Sequence, residues 1–367
     1  MDSNGTNWTP LIASENSSLQ WENNTGKIYV FMPVGFNAKL ALCLILSVIG
    51  AVGFLGNTLL FCYLWKKKSR SRNPIQSIPF MINLKKYVRS LSLSDLLCCA
   101  VSLPLVCIQI FVDIFQSGWS CKIVRYLNLL FPAIAINNLV VISLEKYLST
   151  RRVPRTFSFS TVRKMIICAW VLGLVVTVFP SVGFGRKRLD LNNTHFTVVC
   201  GHDDHIFPLR TRFIHFAIQF VLPVIFVTYS NTCLLKTVWT AGRRKNGSGM
   251  NNAFKAHLRA QRIKGTIFLV ARSFAFVFSY FLYFGNMVYT AIDKPQLDFS
   301  TLYLIRNYTA GVAYCSSVFN FLLYLRQMKE FRVFLKNKIC RGSNVSNQPE
   351  VINGERIERA INRTFQE

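Results

Sequence analysis

The stretch Trp119–Arg152, WSCKIVRYLNLLFPAIAINNLVVISLEKYLSTRR, decides the fold of this chain. A cysteine stands near its start, a long apolar run follows, and the charged sequence EKYLSTRR closes it. As a helix, the part from Trp119 to Leu148 rises roughly 45 Å at ~1.5 Å per residue, which exceeds a hydrocarbon core of about 30 Å. The stretch therefore predicts a tilted membrane span around which other spans pack.

The composition agrees with a protein that crosses the membrane several times. Hydrophobic residues make up 51% of the 367 residues, and 43 Lys and Arg face 16 Asp and Glu. The apolar residues form long blocks, and the basic residues cluster between alternate blocks instead of lining one face, which argues against a nucleic-acid partner. The blocks predict an all-α bundle of seven spans, near 39–64, 90–115, 119–148, 162–184, 211–239, 260–291 and 301–325.

The loops between the spans predict the orientation. Segment 66–89 carries eight basic residues and no acid, and segments 149–164 and 240–264 and the tail after Tyr324 are also basic. By the positive-inside rule these segments face the cytoplasm, so the amino terminus is outside the cell at the plasma membrane. Four glycosylation sequons in the amino-terminal tail agree with this orientation, at Asn4, Asn7, Asn16 and Asn23.

We expect four regions along the chain. They are a glycosylated extracellular tail over 1–38, the seven-span domain over 39–326, an amphipathic helix on the cytoplasmic membrane surface over 327–340, and a disordered cytoplasmic tail over 341–367. Cys340 is a candidate palmitoylation site, with an unmodified thiol as the alternative. Of the eleven cysteines, Cys121 at the outer end of the third span and Cys200 in the loop after the fourth should face the oxidising side, which favours one disulfide between them over two free thiols.

Residues in every span match one family in order. They are Gly56, Asn57, Leu91, Asp95, Cys121, Glu145, Tyr147, Trp170, Cys200, Pro223, Phe276, Asn320, Tyr324 and Phe331. With them, residues 30–340 resemble the rhodopsin-like G-protein-coupled receptors. The resemblance implies an extracellular ligand bound between the outer halves of the helices, and a heterotrimeric G protein or arrestin as cytoplasmic partner. The alternative is a receptor-like protein that binds or scavenges ligand, or scaffolds a partner, without conventional G-protein activation.

An enzyme is disfavoured, because the sequence shows no phosphate-binding glycine loop, nucleophile elbow or metal-spaced His/Cys set.

Three motifs that the family uses for activation are altered. Glu145-Lys146-Tyr147 replaces Asp/Glu-Arg-Tyr, Ser279-Tyr280-Phe281-Leu282 replaces Cys-Trp-x-Pro, and Asn320-x-x-x-Tyr324 lacks the proline after the asparagine. On the sixth span Arg262 would repel Lys146, so the resting lock between the third and sixth spans should be missing. Without a proline at Leu282 the sixth helix should be straighter. We therefore expect weak or atypical coupling.

Arg272, in the inner half of the sixth span, needs a partner at membrane depth. We expect it to bond to Tyr324 or Asn231 and to supply part of the missing restraint; the alternative is that it reaches the inner headgroups. The resemblance also implies a candidate Na⁺ site at Asp95 with Ser316, Ser317 and Asn320, and no other cofactor.

Ligand chemistry is predicted from the outer ends of the spans. Asn128 stands where amine receptors carry an Asp, and Tyr314 where light receptors carry a Lys, which argues against both ligands. The candidate ligand residues are Arg125, Asn128, Arg212, His215, Tyr283, Met287 and Arg306. Their guanidinium groups predict an anionic ligand. The alternative is that these arginines reach the outer lipid headgroups.

Overall fold

A computed structural model describes residues 9–10, 21–22, 27–70, 79–149, 157–243, 251–292 and 297–340. The four sequons, the centre of the linker between the fifth and sixth spans, and the tail from residue 341 lie outside these residues, with the predictions made for them. At some helix ends, including Arg262 and Cys340, only the backbone is described.

Seven helical spans make up the larger of two units, residues 1–327. In chain order the helices are α1 (Phe36–Arg70), α2 (Pro79–Leu97), α3 (Leu103–Phe111), α4 (Gly118–Ser149), α5 (Phe159–Val182), α6 (Leu209–Phe216), α7 (Leu222–Arg243), α8 (Asn251–Ile292) and α9 (Phe299–Gln327). A π-helical turn, Cys98–Ser102, joins α2 to α3 as the second span, and another, Ala217–Val221, joins α6 to α7 as the fifth. The second unit contains α10 (Lys329–Cys340). The predicted helical bundle is confirmed.

Among the described residues, six helical spans are long and apolar enough to cross a membrane. The seventh helix, α9, is 29 residues long but less apolar, because it buries polar residues inside the bundle: Asn307, Ser316, Ser317 and Asn320. The second span starts earlier than predicted, at Pro79. Lys86 and Arg89 lie in this helix, where cation–π contacts stabilise their charges. Lys86 Nζ lies 3.7 Å from the Phe159 ring centroid, and the Arg89 guanidinium lies 5.0 Å from the Trp65 ring centroid.

Prolines explain where two spans widen. Pro104 and Pro223 each follow a π-helical turn within two residues. Proline lacks an N–H, and its ring crowds the carbonyl four residues earlier, so the preceding turn opens. In the fifth span, Pro223 is thus accommodated by a widened turn. Helix α8 runs uninterrupted through Leu282, as the missing proline predicts.

Glycines allow close helix contacts in the first span. A Cβ at Gly53 would lie 2.6 Å from Cys99 Sγ in the second span, and one at Gly56 would lie 2.5 Å from the Phe321 ring in the seventh. Larger residues at either position would push the first span away from its neighbours.

The segment between the fourth and fifth spans forms a hairpin, β4 (Phe184–Asp190) paired antiparallel with β5 (His195–His202). Strand β3 (Ile28–Tyr29) runs parallel to β5, and β1 (Thr9–Pro10) and β2 (Trp21–Glu22) complete a sheet of order β1-β2-β3-β5-β4. The sequence does not predict this hairpin, because its strands are short and polar on one side.

Residues 27–35, which we call the strap, belong to the folded unit, although we expected a tail through residue 38. The Tyr29 hydroxyl donates to Asp113 at 2.7 Å, and Ser300 Oγ donates to the Pro33 carbonyl at 2.6 Å. The strap therefore ties the hairpin to the ends of the second and seventh spans.

Candidate functional site: a cavity beneath the hairpin

A disulfide joins Cys121, at the head of α4, to Cys200 in β5, as the sequence predicted. Both cysteines are buried in a small apolar cluster with Phe115, Val124 and Phe184. The bond fixes β5 across this end of the bundle, and His202, two residues beyond Cys200, is held with it.

A cavity of about 600 Å³ lies beneath the hairpin, lined by residues of the third to seventh spans. Five of the predicted ligand residues line it: Arg212, His215, Tyr283, Met287 and Arg306. Arg125 and Asn128 do not. The lining residues that the sequence did not predict include Phe184, His202 and Phe207. The position of His202 two residues after Cys200 could have identified it, because the disulfide sets where the hairpin lies.

The deep part of the cavity is aromatic. Its aromatic floor consists of Phe216, Phe220, Phe276, Tyr280 and Phe284. Ring centroids are 4.2 Å apart for Phe220 and Phe284, and 4.5 Å apart for Phe276 and Tyr280. A site of this kind binds the apolar body of a ligand.

The upper part of the cavity is positively charged. Arg212 and Lys187 both bond to one carboxylate, that of Asp204, with Lys187 Nζ at 2.7 Å. The hydrogen bond from Lys187 lowers the pKa of Asp204, so this acid stays ionised. One positive charge of the three groups remains without compensation.

Arg125 and Arg306 form no salt bridge among the described residues. The Arg125 guanidinium lies 5.6 Å from the ring centroid of Phe115 and 5.7 Å from that of Phe184, and its buried Nε atom has no hydrogen-bond partner in the described part of the chain. Arg306 is exposed at the cavity wall. We call Arg125, Arg212 and Arg306 the cationic mouth.

His202 lies close enough to the cationic mouth for its positive charges to act on the imidazole. Burial, and then the charges of Arg212, Arg306, Arg125 and Lys187, lower the pKa of His202 to about 3. The imidazole is therefore neutral at physiological pH, and it stacks on Phe184 with centroids 3.9 Å apart. Among the described residues its Nδ1 and the Nε2 of His215 are buried without hydrogen-bond partners. Neutral polar atoms and uncompensated cations thus meet in one place.

A second polar site lies in the middle of the bundle. Arg272 Nη2 is 3.4 and 3.3 Å from the two carboxylate oxygens of Asp95, and both side chains are buried. The predicted partners, Tyr324 and Asn231, were wrong, and so was the headgroup alternative, because Arg272 is fully buried and faces an acid of the second span. Tyr324 instead packs edge-on against the rings of Tyr63 and Phe268.

The candidate sodium residues surround this ion pair. Asp95, Ser316, Ser317 and Asn320 are all buried. Asn320 Nδ2 donates to Asn57 Oδ1 at 3.4 Å and to Ser92 Oγ at 3.3 Å, while Asn57 Nδ2 donates to the Ser317 carbonyl at 2.8 Å. The first, second and seventh spans are therefore joined by amide and hydroxyl groups.

The altered motif at the far end of α4 is buried. Lys146 Nζ lies 3.5 Å from Glu145 Oε1, which also accepts a hydrogen bond from Asn83 Nδ2 at 2.9 Å. The Tyr147 ring centroid is 6.0 Å from that of Tyr229. Because the Arg262 side chain is outside the described residues, the missing lock stays a prediction.

The chain belongs to a known family. The model of the "7 transmembrane receptor (rhodopsin family)" matches residues 39–324. The members of this family are multi-pass G-protein-coupled receptors of the membrane and not enzymes, so those expectations are confirmed.

Relatives are distant. The chain is 23% identical to "Rhodopsin, GQ-coupled" of Mizuhopecten yessoensis, over 65% of this chain and 48% of the relative. It is 24% identical to "Probable G-protein coupled receptor 19" of Mus musculus, over 70% and 60%, and 22% identical to "[Phe13]-bombesin receptor" of Bombina orientalis, over 80% and 74%. The chain thus spans about half to three-fifths of the first two relatives. Their names differ too much to indicate a ligand.

Proposed function

We propose that this protein is a plasma-membrane receptor for a ligand with a carboxylate or phosphate group and an apolar body, and that it signals through a G protein. The observation that supports this is the cationic mouth, whose Arg125 and Arg306 have no acidic partner among the described residues. Arg125 is partly buried, and a cation removed from water is costly unless an anion compensates it. Arg306 is exposed at the cavity wall, and guanidinium groups such as these two bind carboxylate and phosphate through two parallel hydrogen bonds.

The geometry gives the ligand two ends. Its acidic group would meet the cationic mouth beside the neutral imidazoles of His202 and His215, whose buried nitrogens lack partners in the described part of the chain. Its apolar body would contact the aromatic floor. With the amino terminus outside, the cavity opens toward the cell exterior.

Helix α8 connects this cavity to the polar core. Tyr283 and Met287 line the cavity, Phe276 and Tyr280 belong to its floor, and the Arg272 guanidinium lies 5.9 Å from the Phe276 ring centroid. A ligand that displaces the floor therefore acts on a helix whose next turn carries the ion pair to the second span. We propose atypical coupling, because a lysine, Lys146, occupies the position of the motif's arginine and is buried against Glu145.

The same alteration favours a second candidate, a receptor that binds or scavenges its ligand without activating a G protein. The two functions share the cavity and differ only in the signal.

The test is a screen of surface-expressed protein with G-protein and arrestin sensors against carboxylates, phosphates, and neutral and cationic compounds of similar apolar size. Arg125→Ala and Arg306→Ala are compared with Arg210→Ala, an exposed arginine of α6 that does not line the cavity. We expect acidic hits whose potency falls in the first two variants alone. Acidic ligands that bind without any sensor response would favour the scavenger, and hits without an acidic group would overturn the ligand class.

A further inference from the structure

The family implies a Na⁺ ion at Asp95, and the structure offers a direct test of whether the residues present would hold one. Both carboxylate oxygens of Asp95 face Arg272 Nη2, at 3.4 and 3.3 Å. Asp95 and Arg272 are 177 residues apart in the chain, and their side chains are 4% and 0% exposed. The single negative charge at this site is therefore already compensated by a cation that cannot diffuse away.

A second cation would find no favourable place here. Added to a neutral ion pair in a region shielded from water, Na⁺ would repel the guanidinium at close range and would compete for the same two oxygens. The neighbouring groups, Asn57, Ser92 and Asn320, are neutral and bonded to one another, so they supply no further negative charge.

We propose that Arg272 is the permanent counter-cation of Asp95, and that this receptor is consequently insensitive to Na⁺. The guanidinium takes the place of a diffusible ion, and it does more than an ion, because it is covalently part of the sixth span. The second and sixth spans are held together by a charge pair whose strength does not vary with the salt around the cell. This inference does not depend on the identity of the ligand.

The thermal stability of the purified full chain in detergent tests the proposal. Melting is measured in NaCl, KCl and N-methylglucamine chloride at equal concentration, for wild type, Arg272→Met, and Arg272→Met with Asp95→Asn. Arg163→Met, which removes an exposed arginine from α5, is the matched control.

We expect wild type and Arg163→Met to melt at one temperature in all three salts. Arg272→Met should melt higher in NaCl by about 2 °C or more, because its uncompensated carboxylate then binds Na⁺, and the added Asp95→Asn change should remove that difference. A Na⁺-specific rise in wild type would overturn the proposal, as would an Arg272→Met protein that is indifferent to Na⁺. If Arg272→Met fails to fold, the wild-type comparison alone decides.

Discussion

Arginines in two regions of this bundle differ in one respect. In the polar core, Arg272 faces a carboxylate supplied by the chain itself, 3.3 Å away. At the cationic mouth, Arg125 and Arg306 have no acidic partner among the described residues. An isolated charge away from water is costly, and in the first region the charge is compensated by the chain itself. At the cationic mouth, where Arg125 is partly buried and Arg306 is exposed, we propose that a ligand supplies the anion. On this proposal, charge pairing separates the part that sets the resting state from the part that binds the ligand.

The largest effect on stability should come from removing one partner of the Asp95–Arg272 ion pair. Asp95→Ala leaves Arg272 buried and uncompensated, and should reduce the free energy of unfolding by about 3–5 kcal/mol. Thermal melting and cell-surface expression measure the loss. Changing both partners, with Asp95→Asn and Arg272→Met, should restore much of it; a double variant no more stable than Asp95→Ala would mean that the two side chains do not depend on each other.

The hairpin that covers the cationic mouth depends on the disulfide. Cys200→Ser should lower the free energy of unfolding by up to about 4.5 kcal/mol on the chain-entropy estimate, and should release His202 from the arginines. Mass spectrometry without reduction identifies the bridge, and melting gives its contribution. Cys107→Ser is the control, since Cys107 is a free thiol. A bridge from Cys107 to either cysteine would contradict the assignment.

At the cationic mouth the effect of a substitution should appear in ligand binding rather than in protein stability. Arg306→Gln should weaken an acidic ligand by roughly 10- to 100-fold, about 1.4–2.8 kcal/mol, with little change in melting temperature. Arg306→Lys keeps the charge without the two-pronged geometry and should lose less. Competition binding gives the constants. Equal affinity in both variants and wild type would place Arg306 outside the ligand site.

The smallest effect concerns pH. The pKa of His202 is lowered to about 3 from its usual value near 6.5, so below pH 6.5 the unfolded chain takes up a proton that the folded protein refuses. The free energy of unfolding should therefore decrease as the pH falls, and this group should account for about 1.4 kcal/mol of the decrease between pH 7.5 and 5.5.

Replacing His202 with Gln should flatten that dependence, measured by melting over this range. His205→Gln, at an exposed position three residues after His202, should leave the pH dependence of stability unchanged. An unchanged slope in His202→Gln would show that burial and the arginines do not lower the pKa of this imidazole in the folded protein.

Much of the bundle was predictable because hydropathy and cysteine placement are local properties of the sequence. The seven spans and the Cys121–Cys200 bond follow from them. Pairings between distant segments were not predictable. Arg272 could be placed at membrane depth, but its choice of Asp95 over Tyr324 depends on how the second and sixth spans face each other.

The site shows the same division. Five of the residues predicted at the outer ends of the spans line the cavity. Arg125 shares that spacing, yet its side chain lies beside Phe115 and Phe184 and does not line the cavity. The strap was not predicted, because its strand, Ile28–Tyr29, is only two residues long and stands within a polar tail.

The open cationic mouth is tested most directly by matched ligand pairs. Purified receptor is melted with a panel of carboxylic acids and with the primary amides of the same acids, for wild type, Arg125→Gln, Arg306→Gln and the control Arg210→Gln. We predict that some acids raise the melting temperature of wild type and the control while their amides do not, and that the gain shrinks in Arg125→Gln and Arg306→Gln. Acids and amides that stabilise equally, or a gain that survives in both Arg125→Gln and Arg306→Gln, would contradict the account.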